Sequence, residues 1–438
     1  MQQLSKFKKT KIGEIPEEWQ IGKLREYTTK IGSGITPRGG NKVYQTTGIP
    51  FIRSQNVHFD GLHLKDVVYI SDKIDNEMKN TRIQPFDVLL NITGASIGRC
   101  TFVPKELKHG NVNQHVCIIR PIKEINPIFL SIFLSSNTGQ KLVHSTHHGL
   151  SREGLTHSQI AEFSIPIPSL KEQQKIASIL SNVDELIQKT EQIIEQTQRL
   201  KKGLMQRLLT KGIRHTKFKK ENFGINFLNY NVPSEWKLLK IKDIASVHGR
   251  IGWKGLKREE YTETGPLMLS VWSLIDDYPY GIDYSININR LSSFRYDESP
   301  EIKLKNGDVL LAKDGDIGRV GYVQSLSEPS TVNSHVVVVR TKSNEIKSEF
   351  LYWFMNSPIF QTYCKSFTSG TTVPLLSQSN IKDATIPIPS LNEQSTISSI
   401  LYSFSNIIYK NKIYNKKIQH IKRGLMQQLL TGKIRVKV

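Results

Sequence analysis

Few residues in this sequence have the types and spacing that a catalytic centre needs. Glu301-Ile302-Lys303 could be half of a nuclease motif, but such tripeptides often arise by chance. No phosphate-binding Gly-x-x-x-x-Gly-Lys-Ser/Thr run is present, and the glycines at 32 and 34 lack a third at dinucleotide-binding spacing. Four histidines could ligate a metal but fit an exposed polar loop better: His144, His147, His148 and His157. The sequence therefore predicts no catalytic residue and no metal site.

Two other patterns also fail to indicate an active site. Asn126-Pro127-Ile128-Phe129 is similar to the Asn-Pro-Pro-aromatic motif of adenine methyltransferases but lacks the second proline, and we interpret it as a helix start. The cysteines, Cys100, Cys117 and Cys364, are odd in number and far apart. They give no disulfide or metal pattern and indicate a reducing cytosol. We therefore expect that the chain is not an enzyme by itself.

The charge of the chain indicates the kind of partner. Its 438 residues include 60 Lys and Arg against 39 Asp and Glu, a net charge of +21. This excess favours a polyanion, because each neutralised phosphate releases condensed counterions. No apolar run approaches the roughly 20 residues of a spanning helix, and the N-terminus lacks the apolar core of a signal peptide. We expect a cytoplasmic protein with no membrane partner.

A long repeat divides the chain into two modules. Ile-Pro-Ile-Pro-Ser-Leu at 165–170 returns 221 residues later at 386–391, and Gly-Leu-Met-Gln at 203–206 returns at 424–427 with the same offset. Shorter matches lie between these motifs: Asp-Val-Leu-Leu at 87–90 and 308–311, Ile-Gly-Arg at 97–99 and 317–319, and Val-Asn-x-His-Val at 112–116 and 332–336. Two similar modules could read two separated places on a two-fold-related partner such as duplex DNA.

The middle of each module is typical of a mixed α/β (α+β) domain. Residues 116–119 and 336–339 are apolar runs suited to buried strands, and 127–134 and 347–355 are predicted helices. The predicted organisation, with two domains of similar fold in pseudo-two-fold arrangement, is an N-terminal segment (1–19), a first variable domain (20–164), a first conserved helix (165–209), a basic linker (210–236), a second variable domain (237–385), a second conserved helix (386–430) and a basic tail (431–438).

Heptad spacing predicts that the two conserved helices pair as an antiparallel coiled coil. The first apolar series comprises Ile176, Val183 and Leu204 in one helix and Ile397, Phe404, Ile418 and Leu425 in the other. The second series is set three residues later and comprises Ile179, Leu186, Ile193, Leu200, Ile400, Ile407, Tyr414 and Ile421. Alternating 3-4 spacing over four heptads is typical of coiled coils, although two separately packed amphipathic helices are the alternative.

The length of this predicted pair suits a spacer. From Ile176 to Leu204 the helix would extend roughly 43 Å at 1.5 Å per residue. One turn of B-DNA is about 34–36 Å. Such a helix pair could hold two DNA-binding domains on one face of a duplex.

Basic residues in polar loops are the candidates for DNA contact, since loops on a rigid scaffold carry recognition. The candidates are Arg38, Lys42, Arg53 and Arg99 in the first domain, and Arg250, Lys254, Lys257, Lys313 and Arg319 in the second. Arg99 and Arg319 occupy matching places, which favours a shared structural or phosphate role over base discrimination.

The doubled entry motif Ile-Pro-Ile-Pro-Ser-Leu-x-Glu-Gln, the long helix after it and the Gly-Leu-Met-Gln-x-Leu-Leu-Thr exit resemble the specificity subunit of type I restriction–modification systems. The resemblance implies that the variable domains are target recognition domains, each binding one half of a bipartite, gapped DNA site. It also implies that the conserved helices set the gap and dock two modification (methyltransferase) subunits, which restriction subunits join. S-adenosylmethionine, ATP and Mg²⁺ would then belong to those partner subunits, with no cofactor in this chain.

Two other functions remain open on sequence alone. One is a fused methyltransferase or nuclease with an unrecognised catalytic centre. The other is a basic scaffold that binds acidic proteins and does not bind DNA.

The resemblance further implies that the segment before Trp19 packs near the end of the C-terminal helix.

Overall fold

A computed structural model describes residues 6–147, 154–222, 229–249, 260–276, 278–286, 289–368 and 375–437. The chain forms two units. Unit 1 comprises Met1–Lys189 with Lys416–Val438, and unit 2 comprises Thr190–Asn415. Each unit therefore combines one α/β domain with part of each long helix.

Unit 1 contains two four-stranded sheets. The first, in the order β11-β10-β13-β4, is antiparallel throughout, and the second, β8-β5-β12-β9, has β5 and β12 parallel. Its strands are β1 (Phe7–Thr10), β2 (Gly13–Pro16), β3 (Gln20–Lys23), β4 (Thr28–Ser33), β5 (Ile49–Ile52), β6 (Val57–His58), β7 (Gly61–Leu62), β8 (Val68–Ile70), β9 (Arg82–Ile83), β10 (Val88–Asn91), β11 (Cys100–Phe102), β12 (Gly110–Val112), β13 (Val116–Pro121) and β14 (Ser164–Ile167). Its helices are α1 (Asp72–Glu77), α2 (Pro127–Ser135), α3 (Asn137–His147), α4 (His157–Ala161) and the long α5 (Leu170–Lys211), which continues into unit 2.

Unit 2 repeats this plan. Its sheet β18-β24-β21-β22 is antiparallel, and in the sheet β20-β19-β23 the strands β19 and β23 are parallel. Its strands are β15 (Phe218–Asn222), β16 (Asn229–Pro233), β17 (Lys237–Lys240), β18 (Ala245–His248), β19 (Tyr261–Leu269), β20 (Asn289–Leu291), β21 (Val309–Ala312), β22 (Val320–Tyr322), β23 (Ser330–Val332), β24 (Val336–Thr341) and β25 (Thr385–Ile388). Its helices are α6 (Ile241–Ile244), α7 (Ser293–Asp297), α8 (Ser348–Met355), α9 (Pro358–Thr368), α10 (Gln378–Asp383) and α11 (Leu391–Leu429), the last ending in unit 1.

These elements confirm the predicted mixed α/β fold of two similar domains. The apolar runs at 116–119 and 336–339 are the buried first four residues of strands β13 and β24. The Asn-Pro-Ile-Phe run starts α2, where the Asn126 side chain accepts a hydrogen bond from the Phe129 main chain at 3.0 Å. The predicted helix at 347–355 is α8. None of the described helices has the length and apolarity needed to cross a bilayer.

A buried ion pair is repeated in both units. The Asp87 carboxylate accepts two hydrogen bonds from the Arg120 guanidinium, at 2.7 and 2.8 Å. Asp308 and Arg340 make the same bidentate pair at 2.7 Å. These hydrogen bonds raise the pKa of both arginines. The repeated Asp-Val-Leu-Leu motif therefore begins with an aspartate that ties its own strand to the neighbouring central strand.

The start of each long helix is fixed by a Glu-Gln pair. In unit 1 the buried Gln173 amide donates to the Glu124 and Pro168 carbonyls at 3.1 and 3.0 Å and accepts from the Asn126 main chain at 2.8 Å. Beside it, Glu172 accepts a hydrogen bond from Trp19 Nε1 at 3.1 Å. The entry motif thus joins the helix to the domain, since each polar group that it buries has a partner.

Unit 2 has the same junction with one different partner. Gln394 donates to the Glu345 and Pro389 carbonyls at 2.8 and 2.9 Å. Glu393 accepts from Trp236 Nε1 at 3.2 Å, and its second contact is the imidazole of His215, at 2.9 Å. The corresponding contact of unit 1 comes from a guanidinium.

The N-terminal segment and the C-terminal tail meet in unit 1. Arg435 donates to Glu172 at 2.7 and 3.1 Å and to Glu18 at 3.0 Å. Gly432 packs against Pro16 and the Trp19 ring. The segment before Trp19 therefore lies beside the end of α11, as the resemblance implied.

Within each unit the two long helices are antiparallel, as predicted. In unit 1 the start of α5 and the end of α11 share one apolar cluster, which includes Leu180 and Leu429, and Lys422 forms an ion pair with Asp184. Burial raises the pKa of the Asp184 carboxyl despite that partner. In unit 2 the end of α5 and the start of α11 pack together through residues such as Leu208 and Leu401.

The second predicted apolar series is wrong in part, because the buried seam between these helices uses other residues. The first series faces inward, with Ile176 and Ile397 fully buried. Three residues of the predicted second series are exposed on each helix, by 41–55%: Leu186, Ile193 and Leu200 on α5, and Ile407, Tyr414 and Ile421 on α11. Fully inward residues lie one position later, at Leu180, Leu401 and Ile408.

The reason for this difference is visible in the sequence. Ile179 is followed by Leu180, Leu186 by Ile187 and Ile193 by Ile194, so residues three and four positions after the first series are both apolar. Heptads with 3-4 and 4-3 spacing fit equally well, and packing selects one of them. We call the six exposed residues the outward series.

Replacing Asp87 by alanine tests the repeated ion pair. Because Arg120 would keep its charge without its carboxylate, we expect unit 1 to lose about 3 kcal/mol of unfolding free energy. Amide hydrogen exchange in β10 and β13, followed as a function of urea concentration, measures this loss. The exchange rates of β21 and β24 in unit 2 should be unchanged. The matched control is Asp66→Ala, at an exposed site. An equal loss in both variants would contradict a specific role for the pair.

Candidate nucleic-acid interface

Three loops of unit 1 are held side by side by main-chain hydrogen bonds. They follow β4, β10 and β12 and comprise residues 34–48, 92–99 and 113–115. Gly34 N donates to Val116 O at 3.2 Å, and Ile92 N donates to His115 O at 3.0 Å. Asn113 N donates to Ile52 O at 3.0 Å, which ties the third loop to β5. The loops therefore form one continuous edge of the domain.

Polar side chains connect the three loops. Thr93 Oγ1 lies 2.6 Å from His115 Nδ1, and His115 Nε2 lies 2.9 Å from the Gln114 amide nitrogen. Gln114 in turn contacts the hydroxyl of Thr36. Each of these residues is exposed or half-buried. Amides of this kind can pair with adenine in the major groove.

Arg53 lies beside an aromatic ring and a buried amide. Its guanidinium lies over the Tyr44 ring, 5.6 Å from the centroid. Within the described part of the chain, Arg53 Nε and the nearby Asn91 Oδ1 are buried without a hydrogen-bond partner. Asn91 Nδ2 donates to Ser54 O at 2.7 Å, which places the two unpaired atoms on neighbouring segments. Buried polar atoms of this kind are usually paired by protein, by ordered water or by a ligand.

The other three candidates of unit 1 lie in the same loops. Arg38 and Lys42 are exposed in the first loop, where Lys42 belongs to a short 3-10 helix, Gly40–Val43. Arg99 is half-buried in the second loop, and its main-chain oxygen accepts from Asn91 N at 2.8 Å. The structure therefore brings the predicted residues of the first domain to one edge.

In the described part of unit 2, the loops after β21 and β23 repeat the second and third loops of unit 1 with different side chains. His335 corresponds to His115, and its Nδ1 contacts the Asp314 carboxylate where His115 meets a threonine hydroxyl. Lys313 Nζ lies 3.8 Å from the same carboxylate. Both histidines have the same support, since His115 N and His335 N donate to the side-chain Oδ1 atoms of Asn113 and Asn333 at 3.2 and 3.1 Å. These main-chain positions are repeated in the two units, whereas the exposed side chains differ.

Arg319 sits within a network of contacts. It donates to Leu274 O at 3.1 Å, pairs with Asp316 at 2.7 Å, and lies 5.9 Å from the centroid of the Trp272 ring. Trp272 is 62% exposed. These contacts hold the guanidinium in place and leave an aromatic surface next to it. The remaining candidates, Arg250, Lys254 and Lys257, lie outside the described residues.

Sequence reasoning missed several residues of this edge. They are Thr36, Tyr44, Asn91, Thr93 and Gln114 with His115 in unit 1, and Trp272, Asp314 and His335 in unit 2. The matching Val-Asn-x-His-Val runs were visible as a repeat, and a repeated histidine between two strands was the available signal. The cysteine thiols take no part, since burial raises the pKa of Cys117 and Cys364 to about 12.

Comparison with protein families assigns most of the chain. The family model for the type I restriction modification DNA specificity domain matches twice, at residues 16–199 and 233–423. The MjaVIII specificity subunit of Methanocaldococcus jannaschii is 27% identical over 430 residues, covering 97% of this chain and 94% of that protein. The StySPI specificity subunit of Salmonella potsdam is 23% identical over 399 residues, covering 88% and 81%.

Solved structures share the fold. The S subunit of a type I restriction–modification system from M. genitalium superposes with a TM-score of 0.59 at 16% identity, covering 94% of this chain and 96% of that one. A chain from a study of complex assembly and conformational transition in a type I system gives a TM-score of 0.55 at 14% identity, covering 96% and 99%.

Substitution of Gly34 tests the importance of the first loop. A Cβ at Gly34 would collide with the Val112 carbonyl, so Gly34→Ala must move this loop away from its neighbours. We expect DNA affinity to fall by about tenfold or more, equal to roughly 1.4 kcal/mol. Fluorescence anisotropy with duplex DNA measures it.

The matched control is Gly32→Ala, two residues away in β4, where a Cβ meets open space. It should bind DNA like the parent protein. Equal affinity of the two variants would show that the 34–48 loop does not contact DNA.

Proposed function

The chain belongs to the DNA specificity family of type I restriction–modification systems, and we propose that its two units each read one half of a bipartite, gapped DNA sequence. Specificity subunits of this family recognise DNA and assemble with the other subunits of the complex. In this chain the half-sites would be read by the loop edges that follow β4, β10 and β12 in unit 1 and β18, β21 and β23 in unit 2.

One observation carries this proposal. Among the described residues, the two units hold the second and third loops on the same main-chain hydrogen bonds, yet the exposed groups differ, with Thr93 and Gln114 in unit 1 and Asp314 and Ser334 at the matching places in unit 2. Side chains at base edges specify sequence, whereas phosphate contacts position the protein. A repeated scaffold with different edge groups is what two unlike half-sites require.

The charge of the chain supports DNA as the ligand. A net charge of +21 favours phosphate contact, and Arg53 and Arg99 in unit 1 and Lys313 and Arg319 in unit 2 supply cations beside the edge groups. Arg319 already has two protein acceptors, which suits a phosphate or positioning role. Arg53 has an unpaired buried Nε and an aromatic support, which suits a base contact.

We also propose that the outward series receives the modification subunits. Exposing large apolar side chains to water costs free energy. A row of them spaced seven residues apart on an exposed helix face is therefore typical of a surface that a partner covers. In unit 2 this face includes Ile193 and Leu200 on α5 and Ile407 and Tyr414 on α11. Two helices with equivalent stripes fit two copies of one partner, and restriction subunits would join that complex.

Chemistry would then reside in the partners. We propose that this chain is non-catalytic and cytoplasmic, and that the S-adenosylmethionine, ATP and Mg²⁺ used by the complex bind the modification and restriction subunits. The fused-enzyme and basic-scaffold alternatives are not favoured, because both halves of the chain match the DNA specificity family.

Methylome sequencing tests the two-reader proposal. Cells that co-express this chain with its modification subunit should carry one gapped motif methylated on both strands, and cells without the chain should lack it. Gln114→Ala should reduce base specificity in one half of the motif, and Lys313→Ala should reduce it in the other half, because the two residues lie in different units. The unaffected half is the control in each experiment. Identical motifs with and without the chain would refute the proposal.

A charge on the outward series tests the docking face. Ile193→Asp places a carboxylate on the proposed interface, and we expect affinity for the modification subunit to fall by roughly 10- to 100-fold, about 1.4–2.8 kcal/mol. Light scattering after size exclusion measures the complex. Gln192→Asp adds the same charge at an exposed position of the same turn and is the control. Undiminished assembly of Ile193→Asp would place the docking surface elsewhere.

A further inference from the structure

One hairpin of unit 1 carries a cluster of metal-ligating side chains that the DNA-binding function leaves unused. β6 and β7 pair through Val57 with Leu62 and His58 with Gly61, so that a tight turn presents Asp60. Among the described residues, His58, Asp60 and His63 are the one group of three or more His, Cys, Asp or Glu whose ligand atoms all lie within 4.8 Å of one another.

The backbone sets this arrangement. His63 N donates to Asn56 O at 2.8 Å, and the Asn56 side chain donates to His63 O at 3.0 Å, which extends the hairpin by one more pair. In that register His58 and His63 are diagonal neighbours on one face. Their rings stack with centroids 4.0 Å apart. The two imidazoles are therefore held together by paired main chain.

Hydrogen bonding favours the metal-binding form of His58. Its Nε2 lies 2.8 Å from the Gln55 carbonyl, an acceptor, so Nε2 must carry the proton and Nδ1 keeps its lone pair. Metal-binding histidines in proteins usually donate their other N–H to a carbonyl or carboxylate in this way. The ring is thus fixed in the tautomer that a metal needs.

Asp60 and His63 are at ligand spacing. His63 Nε2 lies 3.1 and 3.2 Å from the two carboxylate oxygens of Asp60. In the absence of a metal, the carboxylate accepts a hydrogen bond from His63 Nε2, and a cation that binds both groups would displace that proton. Two imidazoles and a carboxylate suit Zn²⁺ and similar divalent transition metals, and Mg²⁺ prefers oxygen ligands.

The matching hairpin of unit 2 is attached to its long helix by tyrosine side chains in place of a metal-ligating cluster. There Tyr278 and Tyr280 contact Tyr409 and Tyr402 of α11, with ring centroids 4.9 and 4.7 Å apart. In unit 1 the residue at the place of Tyr409 is Gln188 of α5, and it makes one hydrogen bond, 3.2 Å long, to the Asp60 carbonyl. The hairpin of unit 1 thus has a polar attachment to its helix where unit 2 has one edge-on and one stacked pair of tyrosine rings.

We propose that His58, Asp60 and His63 bind one Zn²⁺-class cation, with water completing its coordination. The ion would clamp the β6–β7 hairpin in the conformation that contacts α5, the task that the tyrosine contacts perform in unit 2. The site is structural, and its occupancy does not depend on the proposed docking partner or on DNA.

Metal titration of the full chain tests this site. Protein prepared without a polyhistidine tag and treated with EDTA is titrated with Co²⁺, followed by its visible absorption, and Zn²⁺ is then added to displace it. We expect one equivalent to bind at the hairpin. His63→Ala and the double variant His58→Ala/His63→Ala should weaken binding by tenfold or more, whereas His420→Ala, at an exposed histidine of α11, should not change it.

Hydrogen exchange supplies a second readout. Zn²⁺ should slow exchange at residues 57–63 in the parent protein and not in the double variant, while residues 273–276 of unit 2 stay unchanged. Circular dichroism of each variant establishes that it is folded. Binding that survives in the double variant, or the absence of saturable binding in the parent protein, would overturn the proposal.

Discussion

The rest of the structure depends on the buried polar junction at the start of each long helix. A helix that projects from a domain must be fixed in direction by groups at its first turn, where main-chain donors are still unpaired. Here Ser169 and Ser390 cap the helices, and Gln173 and Gln394 bond to carbonyls on both sides of the domain boundary. Burying these amides is tolerable because each has its partners, and their replacement would leave several main-chain groups unpaired at once.

The two units solve the same structural problems with different chemistry. Glu172 is paired by a guanidinium and Glu393 by an imidazole, and the matching hairpins are attached by a hydrogen bond in one unit and by tyrosines in the other. By contrast, the Asp–Arg pairs under the Asp-Val-Leu-Leu strands are unchanged. Interactions that define the sheet are kept, and those that attach its periphery vary.

The sequence predicted the fold better than the site, for physical reasons. Repeated motifs and buried apolar strands have a period or an offset, so the domain class, the helix at Pro127 and the antiparallel helices could be predicted. The second heptad series could not be placed, because Ile179 and Leu180 are both apolar and only packing separates them. Loop residues such as Gln114 have no periodicity, and their grouping arises from β-strand pairing between distant segments.

The tryptophans at the junctions give the molecule a built-in optical label. Trp19 is the sole tryptophan of the unit 1 sequence, whereas unit 2 contains Trp236 and three others. Its indole N–H donates to a buried carboxylate at the first turn of α5, beside the Arg435 guanidinium. Emission from an indole responds to nearby charge and to water. In a protein whose other four tryptophans are phenylalanine, fluorescence would therefore report the state of one junction alone.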